Sequence, residues 1–365
     1  MLIEICDDIV VLAEQNNLAV ITALERISIA YKYGKHLVYA KFPLLNKLCK
    51  LKYLNKQVRD VYSNIKKQAS TQYVLVQKID SRILLTTHKG CVRAGCLHIN
   101  PCDLAEFEWF EETHLLVENL TDSKFYGYLV EYYKRSKLIK CSTCFYPLQG
   151  GGDTIKQVYK FEIDIKQHLC LSIVDSDKKY PNGKIGQTAS ELKKWHNKNK
   201  PINGNIYIMQ HVREVENLIP LNVLQYYVGH TGHQIFSENL LLDFSYFDMK
   251  EGLLRCKTDT NLFNYWSQQF TNYSQLKTAL QVCKLCAEYS KPSPKPADCL
   301  SVCNTRCIID GFGAKILENL LKNNNSDNWF SNIGDTDLTQ SQKSEWTAIG
   351  KIIFEWSCSA PKLRA

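Results

Sequence analysis

An alternation of short apolar runs with amphipathic stretches, between residues 113 and 227, constrains this chain more than any other feature of its sequence. His114–Glu118, Leu138–Leu148, His168–Val174 and Asn205–Met209 have the composition of buried strands. Ser123–Arg135, Asp153–Gln167, Ala189–Asn199 and, despite Pro220, Glu216–Tyr227 have helical spacing. A triplet, Gly150-Gly151-Gly152, follows the second strand. Strands separated in this way by helices predict an α/β fold: a parallel sheet flanked by crossover helices. Residues 1–110 read differently, as helices over 10–30, 43–54 and 56–68 followed by β-rich runs at Gln72–Lys78 and Arg82–Thr87. Beyond 235 the pattern weakens, with a proline-rich loop at Ser290–Ala297 and a polar break at Asn323–Asn328. Three stretches are therefore expected: a basic N-terminal helical/β region (1–110), an α/β domain (111–235) and a C-terminal extension (236–365).

Charge is concentrated rather than spread. The net charge is +8, yet the segment 31–67 alone carries ten basic residues (Lys32, Lys35, Lys41, Lys47, Lys50, Lys52, Lys56, Arg59, Lys66 and Lys67) against one acid, Asp60. Tyr31, Tyr33, Tyr39, Tyr53 and Tyr62 are interleaved with them. Basic side chains match a phosphate backbone and aromatics can stack on unpaired bases, so nucleic acid is the expected partner. Lys47, Lys50, Lys52, Lys56, Arg59, Lys66 and Lys67 are the candidate contacts. Leu44, Leu45, Leu48, Leu51 and Leu54 supply a helical apolar stripe in the same segment, so a solvated helix face is the plainer reading, compatible with the first. No apolar run reaches the ~20 residues of a membrane-spanning helix. The first eight residues contain no basic stretch, so no secretory leader is expected and the chain reads as cytoplasmic.

Three acidic signals lie where an open parallel sheet places its active site, just past the carboxyl ends of strands. The first is Glu118 closing a strand, with Asp122 opening the next helix. The second is the Asp-x-Asp of Asp175 and Asp177. The third is Arg213-Glu214-Val215-Glu216-Asn217, after the strand ending at Met209. Carboxylates gathered in this way suit a hard divalent ion such as Mg²⁺ or Mn²⁺, which prefers oxygen ligands. Of the two glutamates, Glu216 is expected at the metal, where the helix packs down onto the sheet. Glu214, beside Arg213, is expected on the surface.

The order of these motifs resembles the TOPRIM domain of topoisomerases, DnaG-type primases and OLD-family nucleases. Glu118 and Asp122 match its opening Glu-Gly-x-x-Asp, with Asn119 in place of glycine, and Asp175 and Asp177 match its Asp-x-Asp. Gly150-Gly151-Gly152 falls at its Gly-rich turn, and residues 213–217 are similar to the Arg-Glu-Ile-Glu-Asn of OLD-type and TOPRIM-only nucleases. The resemblance covers about residues 113–225. It implies a TOPRIM-like parallel sheet and a metal-dependent nuclease, with Glu118 as general acid/base or metal ligand and Asp122, Asp175, Asp177 and Glu216 as metal ligands. Asp248-Met249-Lys250-Glu251-Gly252 looks like the Asp-x-Lys-x-Gly of such enzymes, making Lys250 a candidate for transition-state stabilisation, with a surface-turn lysine as the alternative. Relatives of this kind act in prokaryotic anti-phage defence beside an ATPase. This chain has no Gly-x-x-x-x-Gly-Lys-Ser/Thr of its own, so ATP-dependent control would come from a partner protein.

Fifteen cysteines in a chain with no expected leader suggest thiols and metal sites rather than a disulfide framework. Cys283, Cys286, Cys299, Cys303 and Cys307 have spacings suited to a structural Zn²⁺ site, and buried free thiols are the rival reading. Cys91, Cys96 and Cys102 with His98 form a weaker second candidate. Cys141 and Cys144 lie within an expected strand, where they point to opposite faces. His230 and His233 are either ligands or ordinary loop histidines. The leading expectation is an Mg²⁺-dependent endonuclease acting on DNA or RNA, tRNA included, as an effector of anti-phage defence. The rivals are a non-catalytic zinc-containing nucleic-acid-binding or scaffold protein and, from the same family, a topoisomerase- or primase-type enzyme.

Overall fold

The computed structural model describes residues 1–88, 91–93, 95–106, 108–229, 233, 235, 242–253, 260–280, 308–323 and 325–363. The chain divides into two compact units, each discontinuous in sequence: Met1–Ile173 with Glu191–Tyr207 and Thr347–Ala365, and Val174–Ser190 with Ile208–Trp346.

Among the described residues the first unit contains two larger sheets and one two-stranded sheet. Leu2–Ile5 (β1), Leu37–Tyr39 (β2), Arg82–Leu85 (β3), Cys91–Arg93 (β4) and Cys96–Ile99 (β5) form one, in the order β2-β1-β3-β5-β4. Its neighbours are parallel except β4 and β5, which are antiparallel. The helices Asp7–Glu14, Leu18–Lys32, Phe42–Lys50 and Lys56–Val76 connect the first three strands. Two of them start on an asparagine that accepts a backbone amide, Asn17 from Val20 at 3.2 Å and Asn55 from Val58 at 3.0 Å. The N-terminal region is thus α/β in its own right, and the run Gln72–Lys78 is not a strand. The helix from Lys56 continues to Val76, because Ile65, Ala69, Gln72 and Val76 recur at helical spacing and are all buried.

The second sheet is built from Thr113–Val117 (β6), Phe145–Gln149, Cys170–Val174 and Gly204–Ile208. Counting the two-residue Ser142–Thr143 as β7, these last three are β8, β9 and β10, and the sheet order is β10-β9-β6-β8. β6 is parallel to both neighbours. Cys-Leu-Ser-Ile-Val of β9 is buried at every position, as expected for a strand covered on both faces. β8 is an edge strand and tolerates Pro147, which cannot donate to a ladder. The expected strand Leu138–Leu148 is shorter and broken: Leu138 takes a left-handed φ of 51° after the helix Leu120–Ser136, and β7 turns aside to pair with Cys358–Ser359. These are parallel sheets flanked by helices, and among the described residues no helix is long and apolar enough to cross a membrane.

The chain passes into the second unit at the end of β9 and again at the end of β10. The described residues of this unit form short helices, turns and the antiparallel pair Gly252–Leu253/Ile309–Asp310, and Phe247, Trp266, Phe270, Phe330 and Trp346 are buried among them. The expected helix Glu216–Tyr227 is two elements: a 3₁₀ turn, Val215–Leu218, and a helix, Leu221–Val228, that starts on Pro220. Proline lacks the amide a continuous helix would need there, so it opens a new one instead.

Candidate metal centre

The second unit gathers three carboxylates. One oxygen each of Asp175, Glu214 and Glu216 lie within 4.8 Å of one another, and both glutamates are buried. Backbone contacts explain how residues some 40 positions apart meet. The carbonyl of Arg213 accepts the amides of Ser176 and Asp177, both at 2.9 Å, and Ser176 Oγ donates to the carbonyl of Val212 at 2.7 Å. The turn after β9 is thereby laced to the segment after β10. The Val215 amide then donates to Asp175 Oδ1 at 3.0 Å, and the Met249 amide donates to Glu214 Oε1 at 2.9 Å.

Asn217 holds this arrangement from behind. Its Oδ1 accepts the Glu214 amide at 2.8 Å, while its Nδ2 donates to the carbonyls of Phe244 at 2.7 Å and Phe247 at 2.8 Å. Gln342 Nε2 donates to the carbonyls of Asn217 and Ile219, each at 2.9 Å, and Trp346 Nε1 donates to that of Leu218 at 2.9 Å. Each residue of the Asp-x-Lys-x-Gly stretch has a separate task. Asp248 pairs with Arg213 and accepts the amides of Lys250 and Glu251 on Oδ1. Lys250 Nζ reaches Glu216 Oε1 at 3.1 Å and Glu214 Oε2 at 3.4 Å. Gly252 has φ +92°, and a Cβ there would meet the Ile309 carbonyl at 2.3 Å, so only glycine fits the close approach of Gly252–Leu253 to Ile309–Asp310.

The electrostatics are unbalanced. Burial, and then the charge of Glu216, push the Glu214 carboxyl up to about 7, against the opposing pull of Lys250 and Arg213. Burial works against the Lys250 charge, but Glu216, Glu214 and Asp175 outweigh it and raise that group above its ordinary value. Among the described residues one ammonium, that of Lys250, faces the three carboxylates. Glu216 Oε2 is buried with no hydrogen-bond partner among the described residues. A buried carboxylate oxygen without a donor is costly, and an oxygen-seeking cation would satisfy it. The donor set therefore fits a hard divalent ion.

The expected site residues divide. Asp175, Glu216 and Lys250 come together, and Glu214 joins them instead of lying on the surface. Glu214 has an extended backbone (φ −145°, ψ 168°) at the start of a 3₁₀ turn, so no helix diverts it from Glu216, and its expected partner Arg213 is engaged by Asp248. Asp177 is exposed and stands outside the group. Its left-handed φ of 53° turns its carboxylate over Gly186, where a Cβ would come within 2.2 Å of Oδ2. Glu118 and Asp122 belong to the first unit. Asp122 is buried as the third residue of a helix capping box, its Oδ2 accepting the Asn119 amide at 2.9 Å, which accounts for Asn119-x-x-Asp122 without a metal. Glu118 is half-buried at the end of β6, and its carbonyl accepts the Gly151 amide at 3.1 Å. The Gly-rich turn is a geometric need: a Cβ on Gly150 would strike Ile155 at 2.5 Å, and Gly151 has φ +62°.

Other candidates are placed less distinctively. Lys47, Lys50, Lys52, Lys56 and Lys67 are exposed on or beside the helices Phe42–Lys50 and Lys56–Val76, Arg59 and Lys66 are half-buried, and the leucine stripe beneath them is buried. Only Tyr33 and Tyr53 of the five interleaved tyrosines are exposed. Tyr31, Tyr39 and Tyr62 are core residues, which removes most of the expected stacking platform. Cys283, Cys286, Cys299, Cys303, Cys307 and His230 lie outside the described residues. Cys141 Sγ donates to the Ser359 carbonyl, and burial pushes its thiol up to about 12. His233 stacks on Phe312 at 4.2 Å. One further group was not expected from the sequence: His114, Glu162 and His168 in the first unit, whose ligating atoms also lie within 4.8 Å of one another.

No family model matches the chain, and comparisons with curated proteins and with solved structures return no match.

Proposed function

We propose that the protein is a metal-dependent nuclease of TOPRIM type, with Asp175, Glu214 and Glu216 holding Mg²⁺ or Mn²⁺. The observation that carries this reading is the convergence of three carboxylates on one lysine, with a buried glutamate oxygen left over. When bound, divalent ions at such a site neutralise phosphoryl oxygens and activate water for attack on a phosphodiester. The chain's own residues do the positioning. The Val215 amide orients Asp175 and the Met249 amide orients Glu214, so the ligands are held before any ion arrives. Lys250 holds a positive charge at the carboxylates, where it can face a phosphate oxygen as negative charge develops. The motif resemblance implies a role for Glu118 as general acid/base or metal ligand. It also supplies the wider role, an anti-phage effector controlled by a separate ATPase. The exposed lysines of residues 47–67 supply a backbone-binding face for nucleic acid.

The test is turnover. Full-length protein is incubated with Mg²⁺ or Mn²⁺ and a panel of single- and double-stranded DNAs, RNAs and tRNAs. Cleavage by the wild type, absent from Asp175→Asn and Glu216→Gln and suppressed by chelator, is the expected result. No cleavage of any substrate, or cleavage indifferent to both substitutions, overturns the reading.

A further inference from the structure

The first unit carries a second cluster whose chemistry differs from that of the three carboxylates. His114 is the second residue of β6, His168 precedes β9 by two residues, and Glu162 sits in a π-helical turn, Phe161–Ile165. Both imidazoles donate from Nδ1 to the same oxygen, Glu162 Oε2, at 2.7 Å and 2.8 Å. Their ring centres are 4.1 Å apart. Glu162 is buried and the histidines are nearly so. Burial pushes the Glu162 carboxyl up, but the hydrogen bonds and charges of His114 and His168 outweigh it and hold it below its ordinary value.

The backbone fixes all three residues. The His168 amide donates to the Glu162 carbonyl at 3.0 Å, and the His114 amide donates to the Leu169 carbonyl at 2.8 Å. Asn203, itself buried, donates from Nδ2 to the carbonyls of His168 at 3.0 Å and Ile163 at 3.2 Å. Gln167 takes a left-handed φ of 54°, which turns the chain so that His168 comes back onto the π turn. Non-glycine residues are strained there, and single π-helical turns concentrate at functional sites. Two local departures from ordinary backbone thus converge on one carboxylate oxygen.

We infer that His114, Glu162 and His168 form a site for a transition-metal ion of the zinc type, distinct from the carboxylate centre. Two imidazole nitrogens and one carboxylate favour Zn²⁺, Co²⁺, Ni²⁺ or Cu²⁺ over Mg²⁺. Three protein ligands leave one position for water or a small ligand. Ligand atoms around tetrahedral Zn²⁺ stand about 3.3 Å apart for bonds of about 2.0 Å. The 2.7 Å and 2.8 Å contacts therefore open by about half an ångström, within reach of ring rotation. Each neutral imidazole moves its proton from Nδ1 to Nε2, freeing the Nδ1 lone pair for the metal. The site lies at the amino ends of β6 and β9, the opposite ends from those where open α/β sheets place substrates. Its role is a clip: it joins the π turn and the loop before β9 to the first strand of the sheet.

Zn²⁺ itself is the probe. Full-length protein is stripped with chelator and dialysed against Zn²⁺, and bound metal is counted by elemental mass spectrometry. The forms compared are the wild type, His114→Gln/His168→Gln and Glu214→Gln/Glu216→Gln. The histidine variant is expected to bind one equivalent fewer than wild type, and the glutamate variant to retain that equivalent. Equal zinc content in the wild type and the histidine variant overturns the inference. Should the histidine variant not fold, acylation of wild-type histidines by diethyl pyrocarbonate decides the matter. A ring bound through Nδ1 carries its proton on Nε2 and has no lone pair to acylate. Zn²⁺ is expected to slow modification of His114 and His168 at least tenfold, and unchanged rates refute the site whatever the carboxylate centre binds.

Discussion

Glu214→Gln offers the sharpest reading of the carboxylate centre, because it removes charge while keeping shape. A carboxyl that titrates at about 7 instead of its ordinary 4.5 is disfavoured in its ionised form by about 3 kcal/mol. The cause is burial first and the Glu216 charge second, with Lys250 and Arg213 in opposition. Between those two pH values the native protein binds more protons at this residue than the unfolded chain does. Stability from this group is therefore fully present below pH 4.5 and is lost as pH rises through 7. Glutamine has no such dependence, and its Oε1 can still accept the Met249 amide. With metal removed beforehand, Glu214→Gln should match wild type near pH 4.5 and exceed it by about 2–3 kcal/mol at pH 8, after allowance for the lost contact with Lys250. The assay is urea denaturation of both proteins at half-unit pH steps. Titrating groups away from the centre are common to the two proteins and cancel, so the difference curve reports Glu214 together with the groups that feel its charge, Glu216 and Lys250 foremost. Adding Mg²⁺ at pH 8 should restore wild type and leave the variant behind, because the ion binds ionised carboxylates. Parallel stability–pH curves for the two proteins would refute the reasoning.

Asn217→Leu removes three hydrogen bonds and leaves the Phe247 carbonyl and the Glu214 amide without their Asn217 partner in a buried site, while the Phe244 carbonyl keeps the Phe247 amide, so urea denaturation should show a loss on the order of 2–4 kcal/mol. Lys250→Met should leave Mg²⁺ binding measurable by calorimetry while lowering the cleavage rate by about 10²- to 10³-fold; an unchanged rate would reduce Lys250 to a structural counter-charge. Replacing Lys47, Lys50, Lys52 and Lys67 by glutamine should weaken nucleic-acid binding and flatten its salt dependence by about one counterion per lost contact. An unmoved slope in filter binding would show that this face meets something other than phosphate.

The sequence displayed the strand-end acids because a parallel sheet delivers its loops at one end, so Asp175 and Glu216 could be paired from order alone. It hid Glu214 because two glutamates two apart diverge in an α-helix and stay together in an extended start to a 3₁₀ turn. The surface assignment of Glu214 rested on Arg213 as its partner, and Arg213 is taken by Asp248. Asp177 failed for a backbone reason, a left-handed residue that no pattern of side chains announces. Asp122 matched a metal motif and a capping box equally well in sequence, and the capping bond is what the structure contains. The five-stranded sheet was missed because Leu2–Ile5 and Leu37–Tyr39 are too short for periodicity to register. The histidine cluster left only a faint trace: one histidine near the amino end of each of two neighbouring strands, while the π turn that brings in Glu162 has no sequence signature.

The turn bearing Glu214 and Glu216 is finished by Gln342, whose side chain bonds to Asn217 across 125 positions of sequence. On a ribosome adding ~5–20 residues per second, the interval between those two residues is on the order of 6–25 seconds. Throughout that time the nascent chain contains every acid of the centre without the side chain that fastens their backbone. Translation interrupted before residue 342 would release a product with the whole charged turn but without the two bonds that Gln342 makes to the Asn217 and Ile219 carbonyls.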